Sequence, residues 1–279
     1  MQLKRTHLMP KSILFTSGSV GSISPKNRIA MAPMTRSRSL QPGDIPTDLM
    51  ATYYAQRASA GFIVTEATQI SQQGKGYSFT PGIYSDAQVE GWKKTTQAVH
   101  DQNGIIFSQL WHVGRMSHES FHEDSTPVAP SAIAPDAQVW VVDEAGVGSM
   151  VDCPTPRELS HEDIQDIIND YRIAAKNAEK AGFDGVEIHG GNGYLIDQFL
   201  RRTSNKRSDE YGGSIENRLR FPLEVIKAVS DEIGADKVGI RLAPFITQRG
   251  MNDDEAVTAI LKAAEELNNQ LMARSANNA

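Results

Sequence analysis

Short apolar runs alternate along the chain with longer segments of helical periodicity. The runs that predict buried strands are residues 28–32, 62–65, 105–108, 186–188 and 238–240. The segments that predict helices are residues 47–60, 86–102, 161–181, 215–233 and 253–267. Because strand and helix alternate, the pattern predicts a parallel sheet with right-handed crossovers.

Helix-capping signals support this assignment. Ser160 precedes two acidic residues, and Gly182 follows Lys180, so the helix between them has both an N-cap and a glycine stop. Ser214 is a weaker N-cap for the next helix. No G-x-G-x-x-G motif follows the first strand, which disfavours an open dinucleotide-binding sheet and leaves a barrel.

The predicted fold is therefore α/β, a (β/α)8 TIM-barrel type that is incomplete, with about five of eight βα units. Roughly forty residues rich in Pro, Gly and Ser separate Gln109 from the helix near His161, and such long connections are usually functional lids. Residues 139–142 predict a hairpin within this lid. We expect one barrel domain over residues 1–267, which begins with an N-terminal hairpin, and a disordered polar tail over residues 268–279.

Composition narrows the class of protein. The 279 residues include 39% hydrophobic residues, enough for one large core, and the net charge of -6 disfavours nucleic acid as a partner. The only cysteine, Cys153, excludes an internal disulfide, and no apolar run is long enough to span a membrane. We expect a cytoplasmic protein that binds neither nucleic acid nor membranes.

Polar residues end each predicted strand. Thr35, Glu66, Gln109 and Arg241 follow four of the runs, and the fifth is followed by His189 with Asn192 and Tyr194 close behind. In a parallel barrel, the carboxyl ends of the strands carry the ligand-binding and catalytic groups. The sequence therefore predicts one pocket at this face, in which Glu66 has no assigned chemical role.

Several segments, in the same order, resemble one family. They are residues 27–36 (NRIAMAPMTR), 43–47 (GDIPT), 65–71 (TEATQIS), 109–115 (QLWHVGR), 189–194 (HGGNGY) and 209–218 (DEYGGSIENR). In these motifs the chain resembles the old yellow enzymes, FMN-dependent ene-reductases built on an (α/β)8 barrel. The resemblance covers about residues 13–267.

The resemblance implies a role for each matching residue. The residues that would contact the flavin are Pro33, Met34, Thr35, Ala67, Gln109 and Arg241. The residues that would line the substrate pocket are Tyr77 and Trp111, and the catalytic residues would be His189, Asn192 and Tyr194. The implied cofactors are FMN with NADPH or NADH as reductant, and the implied substrates are small activated alkenes, either α,β-unsaturated carbonyl or nitro compounds.

These residue types suit that chemistry. When hydride adds to the β-carbon of an activated alkene, negative charge develops on the activating oxygen, and two fixed hydrogen-bond donors such as His189 and Asn192 stabilise it. A phenol such as Tyr194 keeps its proton at neutral pH until a basic carbon forms beside it.

The resemblance stops near Leu267, whereas the family continues through three further βα units whose loops hold the FMN phosphate. The alternative hypothesis is accordingly a truncated, catalytically impaired barrel that binds FMN weakly or acts only with a complementing chain. Unpaired strands at both edges would also favour self-association.

A second alternative is a zinc hydrolase. His118, Glu119 and His122 match the H-E-x-x-H pattern, in which two histidines one helical turn apart bind zinc. The motif lies in the predicted lid, with only His161 and His189 as downstream histidines. We therefore favour the hypothesis that the protein has no metal site.

Overall fold

The structure, a computed structural model, describes residues 12–122, 126–143 and 145–277, with side chains to Asn269. Within these ranges the strands are β1 (Ala30–Met31), β2 (Phe62–Gln69), β3 (Ile106–Trp111), β4 (Val128–Ala129), β5 (Gln138–Val142), β6 (Gly148–Asp152), β7 (Arg157–Glu158), β8 (Gly185–Gly190) and β9 (Val238–Leu242). The helices are α1 (Asp48–Ala55), α2 (Asp86–His100), α3 (His161–Lys180), α4 (Leu195–Leu200), α5 (Ile215–Ile233) and α6 (Ala256–Asn277).

The main sheet is parallel, with the strand order β1-β2-β3-β8-β9. This order follows the chain without reversal, as in a barrel, whereas an open doubly wound sheet reverses at a switch point. Helices α3 and α5 pack on each other, as do α1 and α2. The large core cluster includes Trp92, Tyr171 and Ile188, all fully buried. The predicted arc of a (β/α)8 barrel is confirmed.

Local sequence explains the helix ends. Asp163 N–H donates to Ser160 Oγ at 3.1 Å, and Ser160 N–H donates to the Asp163 carboxylate at 2.7 Å, which is a reciprocal capping box. Helix α5 begins after Ser214, whose hydroxyl accepts from Asn217 N–H at 3.3 Å, and it has the bounds that the sequence predicts.

Several elements are longer than predicted. Strands β2, β3, β8 and β9 continue past their apolar runs, so Glu66, Gln109, His189 and Arg241 lie within the last part of a strand rather than beyond it. Neighbouring parallel strands extend the ladder because backbone pairing is indifferent to a polar side chain. Helix α6 passes Leu267 and includes most of the predicted polar tail, a segment with several good helix formers.

The predicted lid, between β3 and α3, contains two small sheets. Strand β4 pairs with β7, and β5 pairs with β6 as an antiparallel hairpin. Val139 of the hairpin is buried with Cys153 and Tyr194 in a second hydrophobic cluster, while Trp140 is exposed. The lid therefore covers the end of β3. Among the described helices, none combines the length and apolar character needed to cross a bilayer.

Candidate active site

Four rings meet at the carboxyl end of β3 and β8 and form the aromatic cluster, Tyr77, Trp111, His189 and Tyr194. Trp111 stacks on Tyr77 with ring centroids 5.4 Å apart and meets the Tyr194 ring edge to face at 4.9 Å. The Tyr194 ring lies 5.0 Å from that of His189. The hydroxyl oxygens of Tyr77 and Tyr194 are 3.3 Å apart. The cluster brings together four residues from three separate segments of the sequence, since His189 and Tyr194 belong to one motif.

His189 is a neutral donor in this cluster. Its Nδ1 accepts the Gly191 N–H at 3.4 Å, which assigns the ring hydrogen to Nε2. Burial, and after it the positive charges of Arg241 and Arg249, lower the pKa of His189 to about 3. The imidazole therefore stays uncharged at neutral pH with Nε2–H available to a ligand.

The turn after β8 holds Asn192 and Tyr194. Asn192 and Gly193 both have left-handed φ angles, +60° and +78°, which asparagine and glycine tolerate best. Gly193 N–H donates to Asp197 at 2.9 Å, and Asp197 forms a buried ion pair with Arg201 at 2.8 Å. The turn is thus anchored to α4.

Arg201 extends this anchor to the loop after β9. Its Nη2 donates to the Ala243 carbonyl oxygen at 2.7 Å, and its side chain is only 1% exposed. Burial raises the pKa of Asp197 despite the nearby guanidinium. The two loops that follow β8 and β9 are therefore joined through one buried ion pair.

The residues predicted to hold a flavin lie on neighbouring strands. Ala67 pairs with Gln109 after a register shift in β2 between Val64 and Ala67, and His189 pairs with Arg241. Thr65 Oγ1 accepts the Gln109 N–H at 3.2 Å, so a hydroxyl group satisfies the amide at the shift.

The side chain of Gln109 is fixed by a hydrogen bond. Its Nε2 donates to Glu187 Oε1 at 2.7 Å, and burial raises the pKa of the Glu187 carboxyl. The Arg241 side chain has no hydrogen-bond or ion-pair partner in the described ranges. The sheet therefore carries the Gln109 amide, which is bound to Glu187, and the Arg241 guanidinium, which remains available to a ligand.

Pro33, Met34 and Thr35 lie on the segment between β1 and α1. Met34 is 45% exposed, and Thr35 is also exposed. Buried Glu66 holds the following residues, because its carboxylate accepts Arg36 N–H at 2.9 Å, Ser37 N–H at 3.3 Å and the Tyr54 hydroxyl at 3.2 Å. Glu66, which the sequence left without a role, is thus an anchor for this segment.

Arg249 is a site residue that the sequence does not predict. Its guanidinium carbon lies 5.1 Å from the centroid of the Tyr194 ring, and its Nη1 donates to the Asn192 carbonyl oxygen at 2.8 Å. The sequence likewise predicts no site role for Glu187, which lies within the predicted strand 186–188. Arg249 belongs to no motif and follows no apolar run, so only the fold brings it to the site.

The zinc-hydrolase alternative lacks the helix it needs. Residues Glu119–Phe121 form a single 3₁₀ turn, His118 caps it by accepting Ser120 N–H, and His122 Nε2 lies 3.0 Å from Ser117 Oγ. Two histidines one α-helical turn apart are required for the zinc motif. In the described ranges the cluster able to hold a metal is a different one, His161 with Asp209 and Glu210.

The sequence is similar to that of known flavin oxidoreductases. Residues 13–277 match the sequence profile of the family described as NADH:flavin oxidoreductase / NADH oxidase. The flavin oxidoreductase hxnT of Emericella nidulans is 47% identical over 242 residues, which cover 85% of this chain and 61% of that protein. The chain thus spans less than two thirds of that relative's length.

Two solved structures are similar to the chain in both fold and sequence. Morphinone reductase in complex with tetrahydroNAD superposes with a TM-score of 0.90 at 49% identity, covering 92% of this chain and 71% of that one. The old yellow enzyme homologue from Zymomonas mobilis gives 0.87 at 45% identity, with coverage of 92% and 70%.

Proposed function

The chain belongs to the NADH:flavin oxidoreductase / NADH oxidase family, the family of the old yellow enzymes, and from that premise we propose that it is an FMN-dependent ene-reductase. Its substrates would be activated alkenes, α,β-unsaturated carbonyl or nitro compounds, and its reductant NADH or NADPH. The observation that carries the proposal is the aromatic cluster, in which the hydroxyl of Tyr194 and the neutral imidazole of His189 lie side by side.

The donor set at the strand ends fits FMN. The guanidinium of Arg241 is without a partner in the described part of the sheet, and the Gln109 amide lies two strands away, beyond Glu187. With Thr35, the Ala67 backbone, Pro33 and Met34, these groups would hold the flavin. When bound, FMN supplies the hydride that it takes from the nicotinamide nucleotide.

His189 and Asn192 would bind the activating oxygen of the substrate. Nε2–H of His189 is a donor at neutral pH, and the Asn192 side-chain amide has no hydrogen-bond partner within the described residues. Two donors fixed in a buried site stabilise the charge that develops on this oxygen as the alkene is reduced.

Tyr194 would deliver the proton to the α-carbon. Its ring is 8% exposed and is held by Trp111, His189 and Tyr77, so the hydroxyl has a fixed position. A neutral phenol is a suitable acid because it does not lose its proton before the basic carbon forms.

The test is an anaerobic spectroscopic titration of the full chain with FMN. We expect a bound-flavin spectrum, bleaching on addition of NADPH or NADH, and recovery of the absorbance when 2-cyclohexenone is added. A chain that leaves the FMN spectrum unchanged, or a reduced sample that the enone does not reoxidise, would contradict the proposal and favour an impaired barrel.

A further inference from the structure

Arg249 projects from the loop after β9 against the face of Tyr194 that the aromatic cluster leaves open. A side chain at Gly193 would meet its stem, since an added methyl carbon would lie 3.4 Å from Arg249 Cδ. The backbone of Arg249 has a φ angle of +63°, which is uncommon for a long side chain. Its carbonyl oxygen accepts from Arg115 Nη2 at 3.0 Å. The residue is therefore held by two hydrogen bonds, this one and the bond from its Nη1 to the Asn192 carbonyl oxygen at 2.8 Å.

The guanidinium of Arg249 lacks a carboxylate partner. Of the buried arginines in the described ranges, Arg201, Arg207 and Arg218 each pair with an acidic side chain, while Arg115 donates to the backbone oxygens of Ile133 and Arg249. No Asp or Glu oxygen in these ranges lies within ion-pair distance of Arg249. Of its five N–H donors, one bonds the Asn192 carbonyl oxygen and one interacts with the Tyr194 side chain, which leaves three. A half-buried guanidinium with spare donors is a binding group for a planar anion.

Resting on the proposed function, we propose that Arg249 is a specificity-determining residue that binds a carboxylate on the substrate, so that the preferred alkenes are anionic. The activating carbonyl would lie at His189 and Asn192, and the carboxylate would lie on the other side of Tyr194, against Arg249. One guanidinium balances one negative charge and matches the planar geometry of a carboxylate through two parallel hydrogen bonds.

In this proposal Arg249 takes no part in the chemical steps of the reduction. Arg249 contacts the ring of Tyr194, and its charge also contributes to the low pKa of His189 after burial and Arg241. A guanidinium keeps its protons throughout the working pH range and is therefore no proton donor to carbon. Its contribution would be to binding and orientation, which is measurable without turnover.

The first experiment is a binding measurement with 4-formylbenzoate and its methyl ester, which carry a carbonyl group but no reducible alkene. Calorimetry with the FMN-saturated full chain should show about tenfold to hundredfold tighter binding of the carboxylate than of the ester. Arg249→Gln should abolish this difference in affinity between carboxylate and ester, while Arg249→Lys should retain part of it. Higher ionic strength should reduce the preference in the wild type.

Arg220→Gln is the matched control, since it removes the same charge from the outer helix α5, where Arg220 donates to the Glu210 carbonyl oxygen. The control should keep the full preference for the carboxylate. Equal binding of carboxylate and ester to the wild type, or equal weakening of both by Arg249→Gln, would overturn the inference and leave the proposed function intact.

The second experiment compares reduction of 4-carboxycinnamaldehyde and its methyl ester. We expect Arg249→Gln to lower the ratio of kcat/KM for the carboxylate to kcat/KM for the ester by about tenfold to hundredfold, mainly through KM for the carboxylate. A chain that binds FMN but reduces neither compound would contradict the proposed function, and the binding preference would then be judged by calorimetry alone. Failure of the carboxylate to bind at all would overturn the inference.

Discussion

At the scale of single residues, the site depends on which groups carry a proton. Tyr194 is positioned by three rings and a second hydroxyl, and His189 keeps its hydrogen on Nε2 because Gly191 N–H occupies Nδ1. His189 is therefore a neutral donor, because burial penalises the charged form of its imidazole.

Tyr194→Phe should lower kcat for enone reduction by about 10²–10⁴-fold, because it removes a positioned acid and keeps the ring packing. Rapid-mixing measurements should show that reduction of the flavin by NADPH is unchanged. Tyr84→Phe is the control, since the Tyr84 hydroxyl donates to Gln72 at 2.7 Å outside the aromatic cluster. An unaltered turnover in Tyr194→Phe would remove this residue from the proton-transfer step.

His112 should make the fold sensitive to acid. It is fully buried, its Nδ1 accepts Gly114 N–H at 3.1 Å, and burial with the nearby His122 lowers its pKa to about 3. Below about pH 6.5 the unfolded chain binds a proton that the folded chain refuses, so the free energy of unfolding falls as the pH falls.

For this single histidine the loss between pH 7 and pH 5 is about 2 kcal/mol. Urea unfolding at the two pH values measures it, and His112→Gln should show a decrease that is smaller by about this amount. The same pH dependence in wild type and variant would show that His112 does not differ in protonation between the folded and unfolded chain.

At the scale of elements, the site is positioned by connections between loops. Asp197 of α4 accepts from Gly193 in the turn that carries Tyr194, and Arg201 reaches the loop after β9. A short helix thus ties together the two loops that contribute His189, Asn192 and Arg249.

Arg201→Met should destabilise the fold by about 3–5 kcal/mol, because it leaves the Asp197 carboxylate buried without its partner. The control is Arg172→Met, whose ion pair with Glu232 at 2.7 Å has an arginine side chain 38% exposed, and which should cost at most about 1 kcal/mol. Urea unfolding compares the two variants. Similar losses of unfolding free energy in both variants would show that the buried Arg201–Asp197 pair contributes no more to stability than the exposed pair.

The sequence predicts elements whose signals are local and misses those set by packing. Helix α5 has its predicted bounds because Ser214 caps it and Gly234, with a φ of +94°, ends it. Strands β3 and β8 were predicted too short, since Gln109 and His189 are polar and extend the ladders only through their neighbours, whereas β1 was predicted too long. Within the site, the resemblance named Tyr77, Trp111 and Tyr194, whereas Arg249 lies in a loop without periodicity.

At the scale of the whole molecule, the sheet has two open edges. Strands β1 and β9 each have one neighbouring strand within the described residues. A cavity of about 500 Å³ lies beside the sheet and is lined by Phe62, Val64 and Phe107 together with charged residues that include Glu187 and Lys237. Unpaired strand edges favour contact with other chains.

We expect the chain to self-associate in a concentration-dependent way, as measured by light scattering after gel filtration. Phe245, which follows β9 and is 81% exposed, should contribute, so Phe245→Glu should shift the population towards monomer. Val147→Glu is the control at a position 63% exposed on the β5–β6 hairpin. A monomeric wild type at all concentrations would contradict this expectation.

The contact between the Tyr77 and Tyr194 hydroxyls has a consequence for repeated turnover. If Tyr194 is the proton donor that we propose, it must regain a proton after each reduction. Burial raises the pKa of Tyr77, so Tyr77 is a protonated neighbour that can resupply it. Reactions in heavy water should then place deuterium at the α-carbon of the product. In Tyr77→Phe the label should still be incorporated, but a larger solvent isotope effect on kcat would show that replenishment had become slow.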